Sequence, residues 1–191
     1  MDMYLNSKRP KYKKFFKSLF WWIVEIALVI LAAWLIIEYA VEKTTMMGVS
    51  MNTTLNDGDK IIINKLAYLR SDPQRYDVIV FSQNKSGHGY YNMKRVIGLP
   101  GETVEIVNGE VYINGNKMDE VIPVEKMRVA GLADDAILLG ENEFFVLGDN
   151  RNYSEDSRFA NIGTVVKNDI IGKAWMRLEP FSIIDKINRE D

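Results

Sequence analysis

The stretch from Leu19 to Ile37, LFWWIVEIALVILAAWLII, constrains this chain more than any other. It runs for about 19 residues, close to the ~20 that a helix needs to cross roughly 30 Å of hydrocarbon, and Glu25 is its one charge. Trp21 and Trp22 stand at one end and Glu38 and Tyr39 at the other, which suits the two membrane interfaces. Lys8, Arg9, Lys11, Lys13, Lys14 and Lys17 precede it, opposed only by Asp2. A basic flank of this kind stays on the cytoplasmic side. The expectation is a cytoplasmic basic tail over 1–18, a single-pass transmembrane helix over 19–41 and an extracytoplasmic domain over 42–191. A cleavable export signal fits less well: the apolar core is longer than such signals carry, and Tyr39, Val41 and Glu42 do not form a small-residue cleavage site. A helix buried in a core is the blander reading. Glu25 receives no role.

The rest of the chain excludes several classes of function. At 191 residues it has room for one sizeable domain beyond the helix, and 47% hydrophobic content can fill a core. The net charge of −2 gives no reason to expect a nucleic-acid partner. There are no cysteines, so disulfides, thiolate metal sites and a thiol nucleophile are absent. His88 is the only histidine, and it lies in the flexible sequence Ser86-Gly87-His88-Gly89, where a solvated role is expected. With one histidine and no cysteine, neither a zinc site nor any other metal or cofactor is expected.

After residue 42 the pattern becomes that of a mostly β domain. Short apolar runs rich in Ile, Val, Tyr and Phe recur at Lys60–Asn64, Val78–Ser82, Tyr91–Ile97, Thr103–Val107, Val111–Ile113, Phe144–Leu147, Thr164–Val166 and Ile170–Met176. Asn108-Gly109 between two of them is a two-residue hairpin signal, and Asn114-Gly115 predicts another turn. No long amphipathic helix is present, so an antiparallel sheet on a stalk is expected. Residues of about 115–142 are less regular and more acidic, and read as an inserted lobe or long loop.

Three stretches concentrate the polar chemistry: GVSMNTTLNDGD at 48–59, MKRVIGLPGE at 93–102 and GDNRNYSEDSR at 148–158. Gly48 permits tight backbone geometry beside Ser50. Lys94 sits in an apolar strand, where alternation puts it on one face with Asn92 and Val96, and Met93 and Arg95 on the other. The last stretch packs Asp149, Arg151, Asp156 and Arg158 together with Asn150, Ser154 and Ser157. Acids alternating with arginines in this way suit an ion-pair network that props up a site, as well as a plain solvated loop.

Together the three resemble the boxes of bacterial type I signal peptidases. Their nucleophile signature, Ser-Met-x-Pro-Thr-Leu, reads here Ser50-Met51-Asn52-Thr53-Thr54-Leu55, followed by Gly58-Asp59. Their base box, Lys-Arg-Val-x-Gly-x-Pro-Gly, runs from Lys94 to Gly101. Their last box, Gly-Asp-Asn-Arg-x-x-Ser-x-Asp-Ser-Arg, runs intact from Gly148 to Arg158. Tyr76-Asp77-Val78-Ile79-Val80-Phe81 is similar to a further box in which glycine usually stands at the Tyr76 position. Thr53 replaces the usual proline, which keeps the chain path open but less pre-set. The resemblance covers nearly the whole chain, with only about 115–142 weakly matched.

The resemblance implies an antiparallel β catalytic domain of signal-peptidase type, a fold shared with self-cleaving repressors of the SOS response. It implies Ser50 as nucleophile and Lys94 as general base. A lysine serves as base only when neutral, so its pKa must fall from the free value of about 10.4, and desolvation in an apolar pocket does this. It further implies that Ser154 orients the lysine, that Asp156 and Arg158 form a supporting ion pair, and that Asp149 holds Arg95 or Arg151. The Ser50 N–H would meet the oxyanion. Relatives with serine two positions earlier add a hydroxyl there; Gly48 occupies that place in this chain. Met51, Leu55, Asn92 and Met93 would wall the substrate pockets. The implied substrates are signal-peptide-bearing preproteins cut after small residues in an A-x-A pattern; the lipid bilayer and the secretion machinery are the other implied partners.

The sequons Asn52-Thr53-Thr54, Asn84-Lys85-Ser86 and Asn152-Tyr153-Ser154 favour a bacterial cell membrane, because a glycan on the first or third would crowd the site. Two rivals remain at this point. A self-cleaving repressor would carry a DNA-binding domain where this chain has its apolar helix. A membrane-tethered, non-catalytic binding or assembly factor of the same fold would be expected to lack Ser50 or Lys94.

Overall fold

The computed structural model describes residues 11–82 and 91–186, without the side chains of 11–13 and 186. Lys8 and Arg9 of the basic tail, the His88 loop and the sequon at Asn84 lie outside the described residues. The first helix, α1, spans Lys11–Ala40. Its stretch from Lys14 to Ala40 is long and apolar enough to cross a membrane. The helix starts ahead of the apolar run and stops one residue short of the expected 41. There Val41 enters β1 (Val41–Thr45), whose β-branched residues pair antiparallel with β2 (Lys60–Asn64), so the expected stalk is part of the sheet.

The chain divides into two compact units, residues 1–39 and 40–191. In the second, β3 (Val78–Phe81), β4 (Asn92–Gly98), β5 (Thr103–Val107), β6 (Glu110–Ile113), β7 (Asn116–Lys117), β8 (Ile137–Leu138), β9 (Glu143–Leu147), β10 (Val165–Val166), β11 (Ile170–Arg177) and β12 (Ser182–Ile183) follow in order. The larger sheet runs β1-β2-β11-β3-β4-β9-β10, with β12 beside β11; the smaller runs β7-β6-β5-β8. Every pairing is antiparallel. The mostly antiparallel β architecture expected from the sequence is the one the chain adopts.

The period of two along the central strands divides the core. In β3, Val78 and Val80 face a cluster with Met46, Met51, Leu55 and Met93, while Ile79 and Phe81 face the opposite side with Val96, Phe144 and Val146. In β9, Phe145 and Leu147 turn instead toward a third cluster with Ile97, Val104 and Leu139, shared with the smaller sheet. β3, β4 and β9 are therefore buried on both faces, which is why β3 and β9 read as near-continuous apolar runs. The larger sheet also curls: Tyr91, just before β4, donates a 2.7 Å hydrogen bond to Glu42 in β1, although β2, β11 and β3 intervene in the pairing order.

The Asn108-Gly109 hairpin has φ of 52° and 78°, the left-handed pair that a two-residue turn demands, and joins β5 to β6. Asn114-Gly115 repeats it between β6 and β7. The irregular segment expected at about 115–142 belongs to this smaller sheet, which already begins at Thr103. Its strands β7 and β8 are two residues each, too short to leave a periodic signal.

Candidate active site

The turn at 48–55 is fixed from below. Met51 and Leu55 are fully buried, and both Thr54 N–H and Leu55 N–H bond back to the Met51 carbonyl, at 3.0 and 2.8 Å. This closes a tight turn that lifts Ser50 above the core. Thr53 holds φ at 89°. Proline is locked near −65°, so the turn takes a path closed to the residue usual in relatives, rather than a looser version of the same path. At the second departure, Tyr76 keeps φ at 73°, the left-handed backbone that a glycine would supply freely. Its carbonyl then faces Arg95, and its hydroxyl bonds the Asp119 carbonyl in the smaller sheet's connection.

Lys94 lies in mid-strand opposite Ile79. It is only 4% exposed, and its amine is 2.8 Å from the Ser50 hydroxyl. Burial pushes the Lys94 pKa below the ordinary lysine value; Asp156, Glu155 and Asp149 oppose this without cancelling it. Arg95 points to the other face, as alternation predicts. It forks onto Asp149 through Nε at 2.8 Å and Nη2 at 2.6 Å, and donates Nη1 to the Tyr76 carbonyl. Of the two arginines open to Asp149, Arg95 is the one it holds. Arg151 pairs with Glu120 of the smaller lobe.

Asp156 and Arg158 form the expected ion pair, both carboxylate oxygens engaged, with the side chains 0% and 2% exposed. Asp156 also accepts the Gly148 N–H at 3.1 Å. Gly148 itself leaves no room for a side chain: a Cβ there would lie 2.2 Å from Ser154 Oγ and 2.5 Å from the Ser50 carbonyl oxygen. Ser154 is thus packed close to Ser50. Its hydroxyl, however, is buried and makes no hydrogen bond, so the bond to Lys94 that the resemblance assigned to it is not formed in this structure. The Gly48 N–H is bonded to Asp57 at 2.7 Å and is not presented as an oxyanion donor. Among the described residues, the Ser50 N–H has no partner.

The four expected pocket residues divide. Met51, Leu55 and Met93 are core residues of one cluster, the first two with no exposed surface; their place in the strand and turn points them inward. Asn92 alone is half-buried at the surface. Sequence reasoning drew no role for Thr54, Asn150 or Glu120. Thr54 and Asn150 stood inside the motifs, and their hydrogen-bonding side chains were the available signal; Glu120 carried none. Among the described residues, no three acidic or histidine side chains gather to hold a metal ion.

A buried amine thus lies 2.8 Å from a serine hydroxyl, flanked by two buried ion pairs, Arg95–Asp149 and Arg158–Asp156. The chain belongs to the signal peptidase family, peptidase S26, whose model matches residues 19–179. Members of this kind are type I signal peptidases, serine endopeptidases. The chain is 33% identical over 183 residues to signal peptidase IB of Staphylococcus aureus strain Mu50, covering 87% of this chain and 92% of that one. It is 33% identical over 180 residues to signal peptidase I S of Bacillus subtilis strain 168, covering 90% and 95%. A crystal structure of a signal peptidase I from Enterococcus faecalis V583 is 32% identical, with a TM-score of 0.41, over 54% of this chain and 97% of that one.

Proposed function

We propose that this chain is a membrane-tethered endopeptidase that removes signal peptides from exported preproteins after small residues in an A-x-A pattern, with Ser50 as nucleophile and Lys94 as general base. The observation that carries the reading is the 2.8 Å contact between a desolvated Lys94 amine and the Ser50 hydroxyl. The neutral amine takes the hydroxyl proton as Ser50 Oγ bonds to the scissile carbonyl carbon. The resulting oxyanion is met by the Ser50 N–H. Lys94, now an ammonium, gives its proton to the departing amine, the C–N bond breaks, and an acyl-enzyme remains. Water then adds to the ester carbonyl, losing a proton to Lys94. Collapse of this second intermediate returns the proton to Ser50 and releases the peptide acid.

The strand order supports an extended substrate. β4 pairs with β3 from Asn92 onward but with β9 only from Arg95 onward. Among the described residues, the edge of β4 opposite β3 is therefore unoccupied at Asn92–Lys94, beside the base. A peptide added there would present alternate side chains to the site. The apolar helix would place enzyme and substrate in the same bilayer, raising their effective concentration. The basic residues before it would keep the N-terminus cytoplasmic and residues from about 42 outside a bacterial cell.

The test is cleavage of a signal-bearing preprotein by wild type, Ser50→Ala and Lys94→Ala in detergent micelles. Cleavage by the wild type alone is expected. Equal cleavage by all three would discard the dyad, and binding without cleavage by any would favour a tethered binding factor.

A further inference from the structure

We infer that the Thr54 hydroxyl is a positioning group for the reaction, registering the turn that carries Ser50 against the strand that carries Lys94. The inference rests on the Ser50–Lys94 reading. Thr54 is 1% exposed. Its Oγ1 donates to Asp149 Oδ2 at 2.5 Å and accepts from Arg95 Nη2 at 3.2 Å. Arg95 Nη2 also reaches the same carboxylate oxygen at 2.6 Å. Three groups from three separate chain segments thus close one buried triangle: the nucleophile turn, the base strand β4 and the loop after β9.

Each corner adjoins a reacting or supporting group. Arg95 is the neighbour of Lys94 along the strand. Asp149 precedes Asn150, whose N–H and side-chain amide bond the Ser50 and Val49 carbonyls at 3.1 and 3.0 Å. Thr54 N–H closes on Met51, next to Ser50. Arg95 and Asp149 would remain paired without Thr54, so the hydroxyl adds little to holding β4 against the loop. What it adds is the tie from the turn to that pair. Two further polar ties from the turn to the loop leave from the backbone carbonyls of Val49 and Ser50, at its opposite end. Without the hydroxyl the turn can pivot about those bonds and shift Ser50 relative to a base that the sheet keeps fixed. Displacements of about 1 Å at a reacting centre cost on the order of a hundredfold.

The experiment compares Thr54→Val, which keeps the shape, with Thr54→Ser, which keeps the hydroxyl. Full-length enzyme and a preprotein substrate are used, and kcat, KM and the melting temperature are read together. Expected is a fall in kcat of about tenfold or more for Thr54→Val, with KM within about twofold, and recovery of most of kcat by Thr54→Ser. Should the valine variant not fold, Thr54→Ala against Thr54→Ser reads the same contrast, since the two differ only by the oxygen. Unchanged kcat in a folded variant lacking the hydroxyl overturns the inference, as does a Thr54→Ser variant as slow as Thr54→Val. Ser50→Ala and Lys94→Ala run alongside: activity in those would sink the dyad itself, whereas inert controls with a fully active Thr54→Val would sink only the role of Thr54.

Discussion

Asp156 divides its carboxylate between Arg158 and the backbone of Gly148: Oδ1 takes the guanidinium Nε at 2.7 Å, and Oδ2 takes both Nη2 and the Gly148 N–H. Removing it strands a buried guanidinium, at a cost of about 3–5 kcal/mol. Asp156 is also the strongest of the carboxylates that favour the protonated form of Lys94. In an Asp156→Asn enzyme that still folds, the lysine loses its proton at lower pH. The rising acid limb of the kcat–pH profile is therefore expected to move to lower pH, together with a lower melting temperature. A limb that moves to higher pH would contradict this account of the charges around the amine.

Lys94→Arg keeps the positive charge and a comparable length but supplies a group that does not deprotonate in proteins. No cleavage is expected at any pH up to 10, in folded protein. Lys94→Met removes the buried amine altogether. In the wild type, the folded pKa of Lys94 lies below the unfolded value, so the unfolded chain binds the extra proton between the two. Stability consequently rises with pH across that window, and the penalty of the buried amine is greatest below the folded pKa. Lys94→Met is expected to be inactive, to melt higher than wild type near neutral pH, and to lose this part of the pH dependence. Thermal unfolding from pH 6 to 10 checks it.

At Thr53 the family's usual residue is expected to do harm. Thr53→Pro forces a negative φ on a turn built at 89° and should destabilise by more than about 1 kcal/mol, with a matching loss of cleavage. Thr53→Gly relieves the left-handed backbone and should stabilise by about 1 kcal/mol. Chemical denaturation of the pair reads both signs at once.

Gly148→Ala places a methyl against Ser154 and the Ser50 carbonyl oxygen. The neighbouring atoms have to give, and Ser50 moves with them. A fall in kcat of about a hundredfold is expected, with a smaller change in KM, measured on the purified preprotein substrate.

The larger elements were legible because they obey simple periods. β2 and β5 fall where alternation predicts, and the Asn-Gly pairs announce their turns. The membrane-length helix was visible as an apolar run with a single charge, Glu25. β1 was hidden because Val41–Thr45 follows the helix without punctuation, and its strand character comes only from pairing with β2. The motif residues singled out Ser50 and Lys94, which the fold brings to 2.8 Å, and the Asp156–Arg158 pair. They could not decide the partner of Asp149, since Arg95 and Arg151 are equally good cations until the fold brings one of them to 2.6 Å. Nor did they reveal that the Ser154 hydroxyl goes unpaired, or that Met51 and Leu55 face wholly inward. Such outcomes are set by packing between segments far apart in sequence.

The supports beneath Lys94 and Ser50 are unequal. Lys94 sits in a strand buried on both faces, paired to β3 at its own position and to β9 from the next residue onward, so moving it means disturbing the sheet. Ser50 rides at the start of a short turn outside any strand, which is expected to open at lower free energy than the sheet. Amide exchange around the base should therefore be limited by global unfolding, and around the alcohol by local opening. Whatever adjustment an incoming peptide demands is expected to fall on the Ser50 oxygen more than on the Lys94 nitrogen.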